Sequence, residues 1–85
     1  MKQTNQAGQP NAMLRWQFQL RNRLVTCGVS QSGARGYSVV TVPHHNVKQA
    51  TIEIYQDLVS ALRRHASIAA QLRASGWSIA SYTTP

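Results

Sequence analysis

Few residues in this chain are of the types that perform acid–base, nucleophilic or metal chemistry, and their spacing limits what they can do. Glu53 and Asp57 are the only acidic side chains. Glycosidase-type and two-metal centres need carboxylates free to act together. Glu53 lies in "QATIEIY", a stretch with β-branched residues at alternate positions. Asp57 directly precedes "LVSAL", where an Asp is a favoured helix N-cap. Neither is left over for catalysis. Gly28, Ser30 and Ser32 in "GVSQSG" approach a nucleophile elbow, but that motif requires Gly at position 32. Gly28 and Gly33 also have the separation of a phosphate loop, yet Ala34 stands where its lysine belongs. A hairpin turn accounts for these glycines better. His44, His45 and Cys27 offer metal-ligand atoms without CxxC or HxxxH spacing, and neighbouring side chains in extended chain diverge. Cys27 alternates with Val25 and Val29 and reads as a small buried apolar residue. The expectation is a non-enzymatic protein with no cofactor and no metal.

What remains is charge. The chain carries seven arginines and two lysines against two acids, for a net charge of +7 and a pI near 10.9. Such a field attracts polyanions, and arginine's planar fork suits phosphate. The cations are scattered rather than run together, unlike a disordered basic arm.

The elements that position these residues follow from periodicity. At 85 residues the chain makes at most one domain, whose small core favours a partner subunit. A single cysteine excludes an internal disulfide, and no apolar run suits a signal peptide or a membrane span. Cytoplasmic location is the expectation. Residues 1–12 are polar and aperiodic and read as a disordered tail; residues 13–85 form one α+β domain. "MLRWQFQLR" alternates strictly, as a half-buried strand does. Asn22 tolerates a left-handed backbone, so "RNR" can turn tightly into a second strand, "RLVTCGV". "SQSGARG" is a glycine-rich turn, and "YSVVTVP" a third strand ended by Pro43. "QATIEIY" is read as a fourth strand, although Ile52, Tyr55 and Val59 also fit the start of a helix. A helix from about 58 to 75 follows. Gly76 provides a left-handed cap, and Trp77 folds back on Leu72. "WSIASY" fits a short final strand. The sum is an antiparallel meander of about four strands with one long C-terminal helix on one face.

Within that helix Leu58, Leu62, Ala69 and Leu72 form an apolar stripe, widened by Ala61, Ile68, Ala66 and Val59. Arg63 and Arg64 fall opposite, pointing outward about 100° apart. His65 falls inside the stripe and reads as a core histidine. Ser67, Ala70 and Ala74 make a small-residue outer face.

One helix covers one face of a sheet, so the other face is open. If Trp16, Phe18, Val25, Val29, Val40, Val42, Ile52 and Ile54 meet the helix, the open face carries Arg15, Gln17, Gln19, Arg21, Thr26, Tyr37, Val39, Thr41, Thr51, Glu53 and Tyr55. Basic groups beside aromatic platforms are the ingredients of single-strand nucleic-acid binders. In outline the plan is similar to Whirly- and Pur-type single-stranded DNA-binding modules, a likeness of architecture that carries no shared motif.

Two functions follow. The first is a small basic module binding single-stranded nucleic acid or another polyanion. Arg15, Arg21, Arg23 and Arg35 would contact phosphates, and Tyr37 and Tyr55 would stack on bases. The second is a homo-oligomeric interaction or accessory domain without nucleic acid, with Val39, Ser67, Ala70 and Ala74 as the candidate interface.

Overall fold

The computed structural model describes residues 12–33 and 36–83. Five antiparallel strands are present: β1 (Ala12–Leu20), β2 (Arg23–Ser32), β3 (Gly36–Pro43), β4 (Thr51–Tyr55) and β5 (Ser78–Thr83). A single helix, α1 (Leu58–Ala74), separates β4 from β5, and a 3-10 turn spans Val47–Gln49. The strand order is β4-β3-β2-β1-β5. The α+β meander read from the sequence is present, and so are the fourth and final strands. The tail expected over residues 1–12 lies outside the described residues except for Ala12, which opens β1.

Local chemistry sets the boundaries. A two-residue turn joins β1 to β2, pairing Leu20 with Arg23. The left-handed residue in it is Arg21, at φ 58°, rather than Asn22. Asp57 caps α1 as its position predicts, its Oδ1 accepting from the Ser60 backbone N–H at 2.8 Å. Gly76, at φ 98°, ends the helix, and the Trp77 N–H donates to the Leu72 carbonyl at 3.0 Å. That is the glycine-terminated helix end expected there, in the one backbone region a β-carbon penalises.

The core lies between α1 and one sheet face. Phe18, Val25, Cys27, Val29 and Val39 are buried from the sheet, and Ala61, His65, Ile68 and Ala69 from the helix. The buried helix stripe runs Leu58, Ala61, His65, Ile68, Leu72, a 3-4-3-4 spacing, with Ala69 beside it. This corrects the stripe read from the sequence, which included Leu62 and extended to Val59 and Ala66. Leu62, Val59 and Ala66 are turned away and exposed.

The register of β3 overturns the face assignment made from the sequence. Val29 pairs with Val39 and Gly28 with Val40. Residues directly opposite share a face, so Tyr37, Val39 and Thr41 join Val25, Cys27 and Val29 beneath the helix. β4 follows through Tyr37–Tyr55, Val39–Glu53 and Thr41–Thr51. The open face therefore carries Val40, Val42, Ile52 and Ile54. Gly28, a glycine inside a strand and so a position where a bulge could form, sits in regular pairing. The irregularities fall at Met13 of β1, unpaired between Ala12 and Leu14 against β2, and at Ala80 of β5, unpaired opposite Gln17 and Phe18.

Candidate functional site

The strand directions gather charge at one end of the molecule. β1 ends where β2 begins, β3 ends beside that turn, and α1 runs back to the same end before β5 pairs with β1 at Gln19–Ser78. Arg21 and Arg23 flank the β1–β2 turn, Lys48 lies in the 3-10 turn after β3, and Arg73 lies in the last turn of α1. All four are exposed. His44 and His45 stand between them in sequence and are exposed too. The His45 and Trp77 rings stack with centroids 6.4 Å apart and planes 23° from parallel, linking the β3–β4 connection to the turn after α1.

Neither acidic side chain opposes this charge. Asp57 is at the far end of the helix, occupied in capping it, and the Ser60 backbone hydrogen bond holds its carboxyl below the usual range. Glu53 accepts from Arg64 Nε at 2.8 Å and Arg64 Nη2 at 3.2 Å. It also accepts from the Tyr55 hydroxyl at 2.9 Å. The Arg64 contact, then the Tyr55 one, pulls the Glu53 carboxyl below its ordinary value. The same contacts raise the Arg64 guanidinium and the Tyr55 phenol. Arg64 is thus engaged across α1 and β4, while Arg63 is exposed on the outer side. Among the described residues Arg64–Glu53 is the one salt bridge, so Arg21, Arg23, Lys48 and Arg73 have no acidic partner there.

The residues nominated from the sequence do not form one site. Arg15 is on the open face, and Arg21 and Arg23 are at the basic end. Tyr37 and Tyr55 are partly buried on the helix-covered face, packed against the core, and cannot serve as platforms on the open face. Arg35 lies outside the described residues. Val39, nominated for an interface, is 1% exposed and belongs to the core. Ser67, Ala70 and Ala74 are exposed on the outer side of α1, as read. Lys48, Arg73 and Trp77 were missed as companions of Arg21 and Arg23, because only the topology brings their distant turns together.

The open face has two halves. Toward β5, Ser81 Oγ donates to Gln17 Oε1 at 3.0 Å, and Gln17 Nε2 donates to Thr26 Oγ1 at 3.4 Å. Thr26 Oγ1 in turn lies 2.6 Å from His44 Nε2. Toward β4 the surface is aliphatic, with Ile52 67% and Ile54 60% exposed.

Other reactive groups are enclosed. Cys27 is buried beneath the helix and accepts from Thr41 Oγ1 at 3.6 Å; burial pushes its thiol above the ordinary value. His65 is 3% exposed, its ring edge-on to Trp16 with centroids 5.2 Å apart. Burial pushes its basicity down, offset in part by a backbone hydrogen bond at Cys27. Among the described residues no three His, Cys, Asp or Glu side chains converge as metal ligands, and no helix is long and apolar enough to cross a membrane. No protein-family model, curated protein or solved structure matches the chain.

Proposed function

We propose that the chain is a small non-enzymatic module that binds single-stranded nucleic acid at its basic end. The supporting observation is the gathering of Arg21, Arg23, Lys48 and Arg73 where no acidic side chain opposes them, beside the exposed His45 ring, which stacks on the half-buried Trp77. Arginine and lysine neutralise backbone phosphates, and an aromatic ring accepts any base on its face. This differs from the open-face site expected from the sequence, since Tyr37 and Tyr55 are not on that face. A cytoplasmic setting, where a free thiol such as Cys27 stays reduced, belongs to the same reading.

Arg21 adds a second kind of support. Its left-handed backbone, where glycine fits without strain, costs roughly 1–2 kcal/mol. Local strain of this kind is often retained where a side chain has work to do.

The test is fluorescence anisotropy against labelled single- and double-stranded oligonucleotides over a salt series. Four neutralised phosphates on a single strand give a log–log salt slope of about −3. Replacing Arg21, Arg23, Lys48 and Arg73 with Gln should remove most of that slope, whereas Arg63→Gln on the outer helix face should leave it nearly intact. Arg21→Gly should leave the protein as stable or more so and still weaken binding. Equal losses from Arg63→Gln and from the basic-end variants would reject the site.

A further inference from the structure

β4 is built the wrong way round for a strand beneath a helix. Its covered face carries Thr51, Glu53 and Tyr55, while Ile52 and Ile54 point to the open side and are more than half exposed. One continuous rung of the open face runs Arg15, Gly28, Val40, Ile52 across β1, β2, β3 and β4. Its members differ in height. Gly28 has no side chain, and the sheet dips above it into a depression of about 190 Å³ walled by Arg15, Thr26, Ser30, Val40 and Val42. Ile52 stands proud two strands away, on the other side of Val40.

A knob and a hollow on one rung, equidistant from a central strand, make a self-complementary surface. We infer that this face packs against a second copy of the chain about a two-fold axis parallel to β3. Such an axis lays β4 of each copy over β2 of the other, because β4 and β2 flank β3. It keeps each rung at its own level, so Ile52 of each copy enters the Gly28 hollow of the other and Val40 meets its symmetry mate. The contact is isologous and closes at two subunits. β1 and β5 overhang on both sides, which leaves Arg15 at the rim with its stem along the hollow and its charge in water. The axis also sets both basic ends on the same side of the dimer, although the dimer does not depend on what those ends bind.

The surface that meets is small. Three facing strands at about 4.8 Å spacing, over about 20 Å of length, give about 300 Å² of footprint per copy. A standard interface takes about 800 Å² from each partner, so the dimer is weak, with a dissociation constant on the order of 100 μM. Like charge at the shared end weakens it further at low ionic strength.

The test is sedimentation equilibrium of the full chain up to about 1 mM, a concentration well above the expected dissociation constant. Self-association should appear at the upper end, strengthen with added salt, and weaken at least tenfold in Ile52→Lys, whose site is exposed and does not threaten the fold. Val40→Cys should cross-link with a short bismaleimide. A disulfide is not expected, because facing sheets about 10 Å apart hold the two α-carbons beyond its reach. Ala70→Cys, on the outer side of α1, should not cross-link. A monomer throughout the range would overturn the inference. So would a dimer that ignores Ile52→Lys, or one that cross-links through Ala70→Cys instead of Val40→Cys.

Discussion

The two faces of one sheet are built from the same five strands and have opposite characters. At the rung through Cys27 the covered face carries Trp16, Cys27, Thr41 and Thr51; one residue along, the open face carries Arg15, Gly28, Val40 and Ile52. Under the helix the apolar weight lies in β1 and β2 and fades to polar groups in β4. On the open side the polar weight lies in β5 and β1, and the aliphatic weight in β3 and β4. The helix lies over β2, β3 and β4 alike, yet the β4 residues that face it are polar or half-polar. At the β4 edge α1 meets the sheet through Arg64 and Glu53, and the isoleucines of β4 stand exposed on the opposite face.

Truncation on each face separates the two roles most strongly. Phe18 is fully buried between sheet and helix. Phe18→Ala should lower unfolding free energy by about 3–5 kcal/mol, the usual cost of deleting a core ring. Ile52→Ala on the open face should change it by less than about 0.5 kcal/mol, as exposed positions do. Urea denaturation at a few micromolar, well below the dissociation constant of the proposed dimer, measures both. A large loss from Ile52→Ala would mean that the open face is covered within the monomer, and the contrast between faces would disappear.

The sequence was legible wherever a single residue decides a local structure. Strict alternation in "LRWQFQL", the Asp57 cap and the Gly76 terminator each specify one backbone state, and each is found where it was read. The faces of β3 were not legible. "YSVVTV" places valines at 39 and 40 in succession, so period-two patterning offers either face equal weight. A one-residue choice then inverts every side chain in β3 and β4. The candidate site suffered for the same reason. Tyr37 and Tyr55 followed the inverted register under the helix, while Arg21 and Arg23 kept their exposure because a hairpin tip lies outside the facing question. Their meeting with Lys48, Arg73 and Trp77 rests on where three separate turns end, and no local pattern encodes that.

The covered face also contains a polar flaw that the open face does not share, and pH exposes it. His65 Nε2 and Trp16 Nε1 are buried without hydrogen-bond partners. Burial lowers the His65 folded-state pKa from its ordinary value of 6.5. Below that pH the unfolded chain binds a proton at His65 that the folded chain resists, so the unfolded state carries more protons and stability falls with pH. The contribution is fully present above 6.5 and is lost as pH falls from that value through the lowered folded-state pKa. Asp57 and Glu53, both lowered from ordinary values of 3.8 and 4.5, contribute stability above 4.5 that is lost only at lower pH. Urea midpoints should thus decline between pH 6.5 and 4.5 in the wild type. His65→Leu should flatten that decline and match or exceed wild-type stability at pH 7, because replacing an unpartnered buried nitrogen removes a desolvation penalty. A wild-type midpoint steady down to pH 5 would show that protonated His65 is tolerated inside, and that the covered face is wetter than its burial indicates.

The smallest effect lies at the seam between the faces, where β4 meets α1. Arg64 and Glu53 form a two-pronged contact, and each side chain remains 35% exposed. Pairs this open gain little, because water screens them and holding two long side chains in one geometry costs entropy. A double-mutant cycle over Glu53→Ala and Arg64→Ala should give a coupling below about 1 kcal/mol, reduced further as salt approaches 1 M. Its value bears on the whole comparison. A coupling well above that range would make the seam a dry interface, and β4 would be fixed by the helix as firmly as β1 and β2 are by the core. A small coupling leaves β4 held chiefly by its backbone ladder to β3, with its covered side wet and its aliphatic side outward. A strand only loosely committed to the monomer core would then be the one that offers Ile52 to a second copy.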